Sequence, residues 1–172
     1  MRYVELRRHT DNDGDRLTPQ GVADAEAISR DLRPPYAAFV STGAARCTEM
    51  LEILRQALGE GVPPVSEATG LRSSVEDRWR QGAKAAGKGA DVEAIRAVDP
   101  DLVEMESTLL GSALRQIVED LPEGGRALVV GHSPTNEAAV LGVAGVVVGP
   151  LGKGEGVLLI EDGGDYRVDP LG

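Results

Sequence analysis

Several things that common site chemistries need are scarce in this chain. Of its 172 residues only Cys47 is a cysteine, which excludes an intramolecular disulfide and a multi-cysteine metal cage. Aromatic residues make up 3%, so a core has to be built from Ala, Val, Leu and Ile. Cationic charge is short: 18 Lys and Arg against 28 Asp and Glu leave a formal net charge of −10. That balance argues against nucleic acid as a partner, because binding it needs cations that displace counterions from phosphates, and equally against docking on an anionic membrane surface. Long apolar runs are also missing, since the longest uncharged stretch, 138–152, is glycine-rich and shorter than the ~20 residues a membrane helix requires. The opening Met1-Arg2-Tyr3-Val4-Glu5-Leu6-Arg7 places charge where a secretory signal is apolar, so a cytoplasmic protein is expected. What is present suffices for a core: 41% of residues are hydrophobic, and the length suits one domain over 1–172.

Apolar spacing and breakers lay out alternating strands and helices. Tyr3–Leu6 is β-rich and runs into the polar cluster Arg7-Arg8-His9. Thr18 is placed to cap a helix with Pro19 at its first position; Val22, Ala25, Ile28 and Leu32 follow at helical spacing until Pro34-Pro35. Ala37–Val40 is short and fully apolar, as a buried strand is, and Ser41 or Thr42 is the expected cap of a helix with the face Cys47, Leu51, Leu54, Leu58. Gly59 and Gly61 close that helix, and Val62–Val65 reads as a third strand. The stretch 72–90, rich in Gly, Ala and Lys, is expected to be an irregular excursion or lid. Leu102, Met105, Leu109, Ala113, Ile117 and Leu121 mark a long amphipathic helix ended by Pro122. Ala127–Val130 is another apolar strand, Ser133-Pro134 is expected to open a helix with the proline at its first position, and Gly156–Ile160 with Tyr166–Val168 flank a hairpin turn at Asp162-Gly163-Gly164. The alternation predicts an α/β protein, a three-layer α/β/α sandwich with a mainly parallel central sheet.

In such sheets ligands bind beyond the carboxyl ends of the strands. Three predicted strand ends carry chemistry: Arg8-His9, Ser41-Thr42 with Arg46 beyond, and His132-Ser133. The two histidines of the chain both fall there. Arginine forks match phosphoryl oxygens, helix starts add N–H donors, and a neutral histidine can attack phosphorus. A pocket of this kind is locally positive even inside an acidic surface.

These segments resemble the histidine phosphatase (phosphoglycerate mutase-like) superfamily. Leu6-Arg7-Arg8-His9-Thr10 is similar to its Arg-His-Gly signature, and Arg16-Leu17-Thr18-Pro19-Gln20-Gly21 to the Leu-Thr-x-x-Gly helix start that follows. Val40 to Glu49 resembles the Ser-x-x-x-Arg-x-x-x-Thr segment that supplies a second arginine, and Val129-Val130-Gly131-His132-Ser133-Pro134 the second histidine motif. The matches run in the family's order from Met1 to about Gly142, and the compact chain is most similar to the short SixA-type phosphohistidine phosphatases. The resemblance implies that His9 is a nucleophile that becomes phosphorylated, with Arg8, Arg46 and His132 binding the phosphoryl oxygens. It further implies a metal-independent phosphatase without cofactor, acting on a small phosphorylated substrate or a phosphohistidine protein. The alternatives are a phosphoglycerate-mutase-like phosphotransferase and a non-catalytic phospho-ligand binder.

Three departures stand out. Arg16-Leu17-Thr18 lacks the residue that SixA-type chains have between Arg and Leu. Thr10 replaces the glycine of Arg-His-Gly, where a positive φ would be strained. Leu71-Arg72-Ser73, with Trp79 and Gly82, resembles the segment carrying the family's general acid, yet Ser73 stands in place of its Glu. Glu76 is the possible substitute proton donor, with Asp77 beside it. Without a donor, substrates with good leaving groups are favoured and mutase chemistry is disfavoured. Asp11-Asn12-Asp13-Gly14-Asp15 lacks the Gly and Glu of a calcium loop and reads as a solvated turn; Gly152-Lys153-Gly154 is not a phosphate loop. Cys47 has no arginine six residues on and reads as part of a helix face.

Overall fold

A computed structural model describes residues 1–171. The elements, in chain order, are β1 (Arg2–Arg8), β2 (Asn12–Asp13), β3 (Arg16–Leu17), α1 (Pro19–Ile28), β4 (Ala38–Ser41), α2 (Ala45–Leu58), β5 (Val65–Glu67), α3 (Glu76–Ala86), α4 (Val92–Val98), α5 (Pro100–Asp120), β6 (Arg126–Gly131), α6 (Thr135–Ala144), β7 (Gly156–Asp162) and β8 (Asp165–Pro170). The main sheet has six strands in the order β5-β4-β6-β1-β7-β8. Its first four are parallel, and β7 and β8 add an antiparallel edge that closes through the expected Gly163-Gly164 turn.

Alternation along the central strands explains the layers. Ala127 and Val129 of β6 face one side, where they join Val4 and Leu6 and the buried residues of α3 to α6. Leu128 and Val130 face the other side, with Phe39 and the buried faces of α1 and α2. This is the three-layer α/β/α arrangement the sequence predicts. The Cys47, Leu51, Leu54 face of α2 is buried, and Thr18 caps α1 by accepting the Gly21 amide. Among the described residues, no helix is long and apolar enough to cross a membrane.

Five expectations need correction. The third strand lies at Val65–Glu67 rather than Val62–Val65, because Pro63 and Pro64 bring no N–H to a ladder. The stretch 72–90 is not irregular: 76–86 is helical, opening on Glu76 and Asp77, which suit a helix N-terminus, and it packs through Trp79 and small residues that leave a faint apolar signal. Helix α2 starts at Ala45 and has no side-chain cap; the Ser41 and Thr42 hydroxyls accept the amides of Gly43 and Ala44 in the turn before it. Helix α6 starts at Thr135, with Pro134 in the cap position rather than the first turn. The buried stripe of α5 runs through Leu102, Glu106, Leu110 and Leu114, leaving the expected core residues Met105 and Leu109 at 43% and 57% exposed. Both faces of that helix carry leucine, and counting Glu106 as polar hides the true phase.

Helices α5 and α6 meet closely. A Cβ on Gly142 would sit 1.8 Å from the Ser107 carbonyl oxygen and 3.2 Å from the Gly111 Cα, so the absence of side chains sets the helix separation. This contact fixes α5 one residue from Glu106.

Candidate active site

Strand register gathers the three polar strand ends. Arg8 of β1 pairs with Gly131 of β6, and Ser41 of β4 pairs with Val130, so His9, Thr42 and His132 leave neighbouring parallel strands on the same edge. The His9 amide donates to the Gly131 carbonyl at 3.0 Å and anchors the first histidine on the strand carrying the second. The two rings lie edge to face with centroids 5.5 Å apart.

Hydrogen bonds assign both tautomers. His9 Nδ1 lies 2.8 Å from the Thr10 carbonyl oxygen, which can only accept, so Nδ1 carries the hydrogen and Nε2 bears the lone pair. Arg46 Nε donates to that Nε2 at 3.3 Å. The Arg46 Nη2 lies 3.1 Å from His132 Nδ1, and a guanidinium only donates; His132 therefore holds its hydrogen on Nε2, 2.9 Å from the Thr42 hydroxyl. Both imidazoles are neutral at pH 7. Burial pushes His9 down to about 4, with the charges of Arg46, Lys153 and Arg8 adding to it against the bond to Thr10. Burial likewise takes His132 down to about 4, helped by Arg46 and opposed by Glu76.

Arg46 thus bridges the histidines, and its remaining arm is taken. Its Nη1 donates to Asp15 Oδ1 at 2.9 Å and its amide to the same oxygen at 3.2 Å, so Asp15 seats a carboxylate at the start of α2. Burial would raise the Asp15 carboxyl, but the amides of Arg46 and Ala45 and the guanidinium outweigh it and hold it low. The acidic turn read as merely solvated is therefore a β2–β3 hairpin whose last acid meets Arg46.

Arg8 stands slightly apart. Its Nη1 donates to the Leu151 carbonyl at 2.8 Å, while its buried Nε has no partner. Burial lowers its pKa against the attraction of Glu137 and Glu155. Sequence reading missed Lys153: the loop after α6 folds back so that the Gly154 amide reaches the carbonyls of Arg8 and His9, and Lys153 joins the cations around His9 while its ammonium bonds Asn12. Gly-Lys-Gly carries no local signal for this; only the loop's return places it. Thr10 fits without strain, since no non-glycine residue among those described has a positive φ, and its buried hydroxyl donates to the Gly21 carbonyl at 2.8 Å.

Beyond Arg46 and His132 opens a cavity of about 220 Å³, walled by Ser73, Glu76, Trp79 and Pro134. Glu76 lines it as an ionised carboxylate. Burial alone would raise it, but Arg72, 3.0 Å away, together with His132 and Arg46 brings it below the usual range. Ser73 is buried in the wall and donates its hydroxyl to Glu106, which also accepts the Trp79 indole N–H at 3.0 Å. Cys47 is buried and pushed up to about 11 by that burial, as a core thiol is.

No family model matches the chain. No curated protein matches it in sequence either. Solved structures do match. A phosphoglycerate mutase from Bacillus anthracis aligns with a TM-score of 0.73 at 19% identity, covering 98% of this chain and 91% of that one. A mycobacterial glucosyl-3-phosphoglycerate phosphatase in complex with VO3 aligns at 0.65 and 16% identity, covering 99% and 98%. The protein histidine phosphatase SixA complexed with tungstate aligns at 0.60 and 14% identity, covering 97% and 94%. The fold of this chain is that of the phosphoglycerate mutase-like histidine phosphatases.

Proposed function

We propose that this chain is a phosphatase that works through a phosphohistidine on His9, without a metal. The observation that carries the reading is the His9 imidazole itself: neutral, fixed by the Thr10 carbonyl, with its Nε2 lone pair turned to a guanidinium. Nε2 attacks phosphorus in line; Arg46 and Arg8 offset charge on the equatorial oxygens, and His132, carrying its hydrogen on Nδ1 once Arg46 has turned to the phosphoryl group, donates to the same group. Arg8 has an unused buried donor to give, and Arg46 exchanges its imidazole contacts for phosphoryl oxygens. Water then cleaves the phosphorus–nitrogen bond. Positioning and preorganised charge supply most of the acceleration, as is general for phosphoryl transfer.

The substrate class is a small phosphorylated molecule or a phosphohistidine protein, and the cavity beside His132 receives its leaving group. One observation favours a non-catalytic phospho-ligand binder instead: Ser73 occupies the position of the family's acid, and Glu76 is ionised. Turnover of p-nitrophenyl phosphate in EDTA excludes that reading. The phosphatase reading is tested by quenching wild-type protein with a labelled phosphoester. Acid-labile, alkali-stable phosphate is expected on wild type and none on His9→Ala; equal labelling of both rejects it.

A further inference from the structure

The general acid expected at position 73 is missing, but a carboxyl lies directly behind it. Ser73 belongs to the same cavity wall as Arg46 and His132, and its hydroxyl reaches Glu106 on α5. We propose that Glu106, acting through the Ser73 hydroxyl, is the proton reservoir for the leaving group; this rests on the phosphatase reading above.

Three features support the assignment. Glu106 is 2% exposed, and among the described residues no Lys, Arg or His lies within ion-pair distance of it. A buried carboxylate with no cationic partner is costly, and glutamine at this site would accept both hydrogen bonds without a charge. An ionisable group therefore needs a chemical reason to be here. Second, the pair is held in one geometry: the Trp79 indole donates to Glu106 Oε1 at 3.0 Å, and the Val75 amide donates to Ser73 Oγ at 3.0 Å. Third, Glu76 is poorly suited to give a proton, because Arg72 favours its charged form.

As His9 Nε2 bonds to phosphorus and the ester oxygen departs, the Ser73 hydroxyl, rotated from Glu106 toward that oxygen, gives it its hydrogen while Ser73 Oγ takes the proton of the Glu106 carboxyl, reversing the direction of the bond between them. The products are the neutral alcohol, intact serine and Glu106 carboxylate. In the second half, water attacks the phosphohistidine and gives a proton back along the same route, so Glu106 ends protonated.

The test is a leaving-group series, from p-nitrophenyl phosphate through phenyl phosphate to an alkyl phosphate, with wild type, Glu106→Gln, Ser73→Ala and Ser73→Thr. Glu106→Gln keeps the volume and both acceptor contacts. It and Ser73→Ala are expected to lose kcat/KM progressively as the leaving group becomes more basic, roughly 2-fold for p-nitrophenyl phosphate and about 100-fold for the alkyl ester. The double variant is expected to be no worse than either single one, and Ser73→Thr to recover most of the loss. A loss of the same factor for every leaving group, or no loss, overturns the relay and leaves Glu106 a structural acceptor. If Glu106→Gln unfolds, Ser73→Ala and Ser73→Thr carry the comparison alone. Wild type that labels on His9 but shows no variant-dependent slope refutes the relay only; wild type that neither labels nor turns over any ester refutes the phosphatase reading and the relay with it.

Discussion

His9, Arg46 and His132 hang from the ends of hydrogen-bonded parallel strands, whereas the facing wall of Ser73, Glu76 and Trp79 belongs to α3 and the turn before it, which lean on α4 and α5. The first region is fixed by backbone register: shifting β1 against β6 by one residue would turn its side chains to the other face. The second is held by side chains, chiefly the bonds of Ser73 and Trp79 to a single buried carboxyl. On the proposed function, affinity for a phosphoryl group would be built into the sheet, while tolerance of different leaving groups would rest on helix contacts that can vary without disturbing it.

The largest effect separating the two regions is expected from His9→Ala, which removes the proposed nucleophile. kcat should fall by about 10⁴-fold or more, by the same factor for aryl and alkyl phosphates, in steady-state assays. Arg46→Lys keeps the charge but loses the fork that spans both histidines, and about 100-fold in kcat/KM is expected to go with it, again independent of leaving group. Gly142→Ala strikes the wall's support instead. Its new methyl meets the Ser107 carbonyl, and forcing α5 and α6 apart should cost about 3 kcal/mol in denaturant unfolding.

pH offers a gentler probe of the strand-end region. With His9 and His132 at about 4 in the folded chain, the acid limb of kcat/KM should centre near pH 4 rather than the ordinary histidine value of 6.5. The unfolded chain binds the extra protons first, so stability is full above about 6.5 and declines as pH falls toward 4; urea midpoints across that window check the sign. The smallest effect concerns encounter. A net charge of −10 repels multiply charged substrates, so moderate salt should raise their kcat/KM by about 2-fold. A fall instead would mean that the local cations dominate the approach.

The same contrast explains what was legible in the sequence. Strand ends announce themselves because apolar runs stop abruptly at Arg8-His9 and Gly131-His132, and the chain has two histidines to place. The wall gives no such signal. Helix α3 packs through Trp79, Gly82 and alanines, so its periodicity is weak, and Glu106 interrupts a stripe that is otherwise leucine. The spacing Leu102, Glu106, Leu110, Leu114 does mark it: a glutamate in phase with a buried face is a candidate for a buried carboxyl. Lys153 and Asp15 escape local reading because each arrives by a loop's return, which residue pattern does not encode.

In the proposed cycle, the bond from His9 Nδ1 to the Thr10 carbonyl has a consequence for how readily the phosphoryl group moves on. A phosphate on Nε2 leaves Nδ1 still protonated, so the ring of the intermediate is cationic and departs as neutral imidazole. The phosphorus–nitrogen bond is thereby kept at high transfer potential, and its breakage calls for no acid. On this scheme a proton donor limits the first half of the cycle alone, and a poor donor slows the loading of His9 without making the loaded protein long-lived.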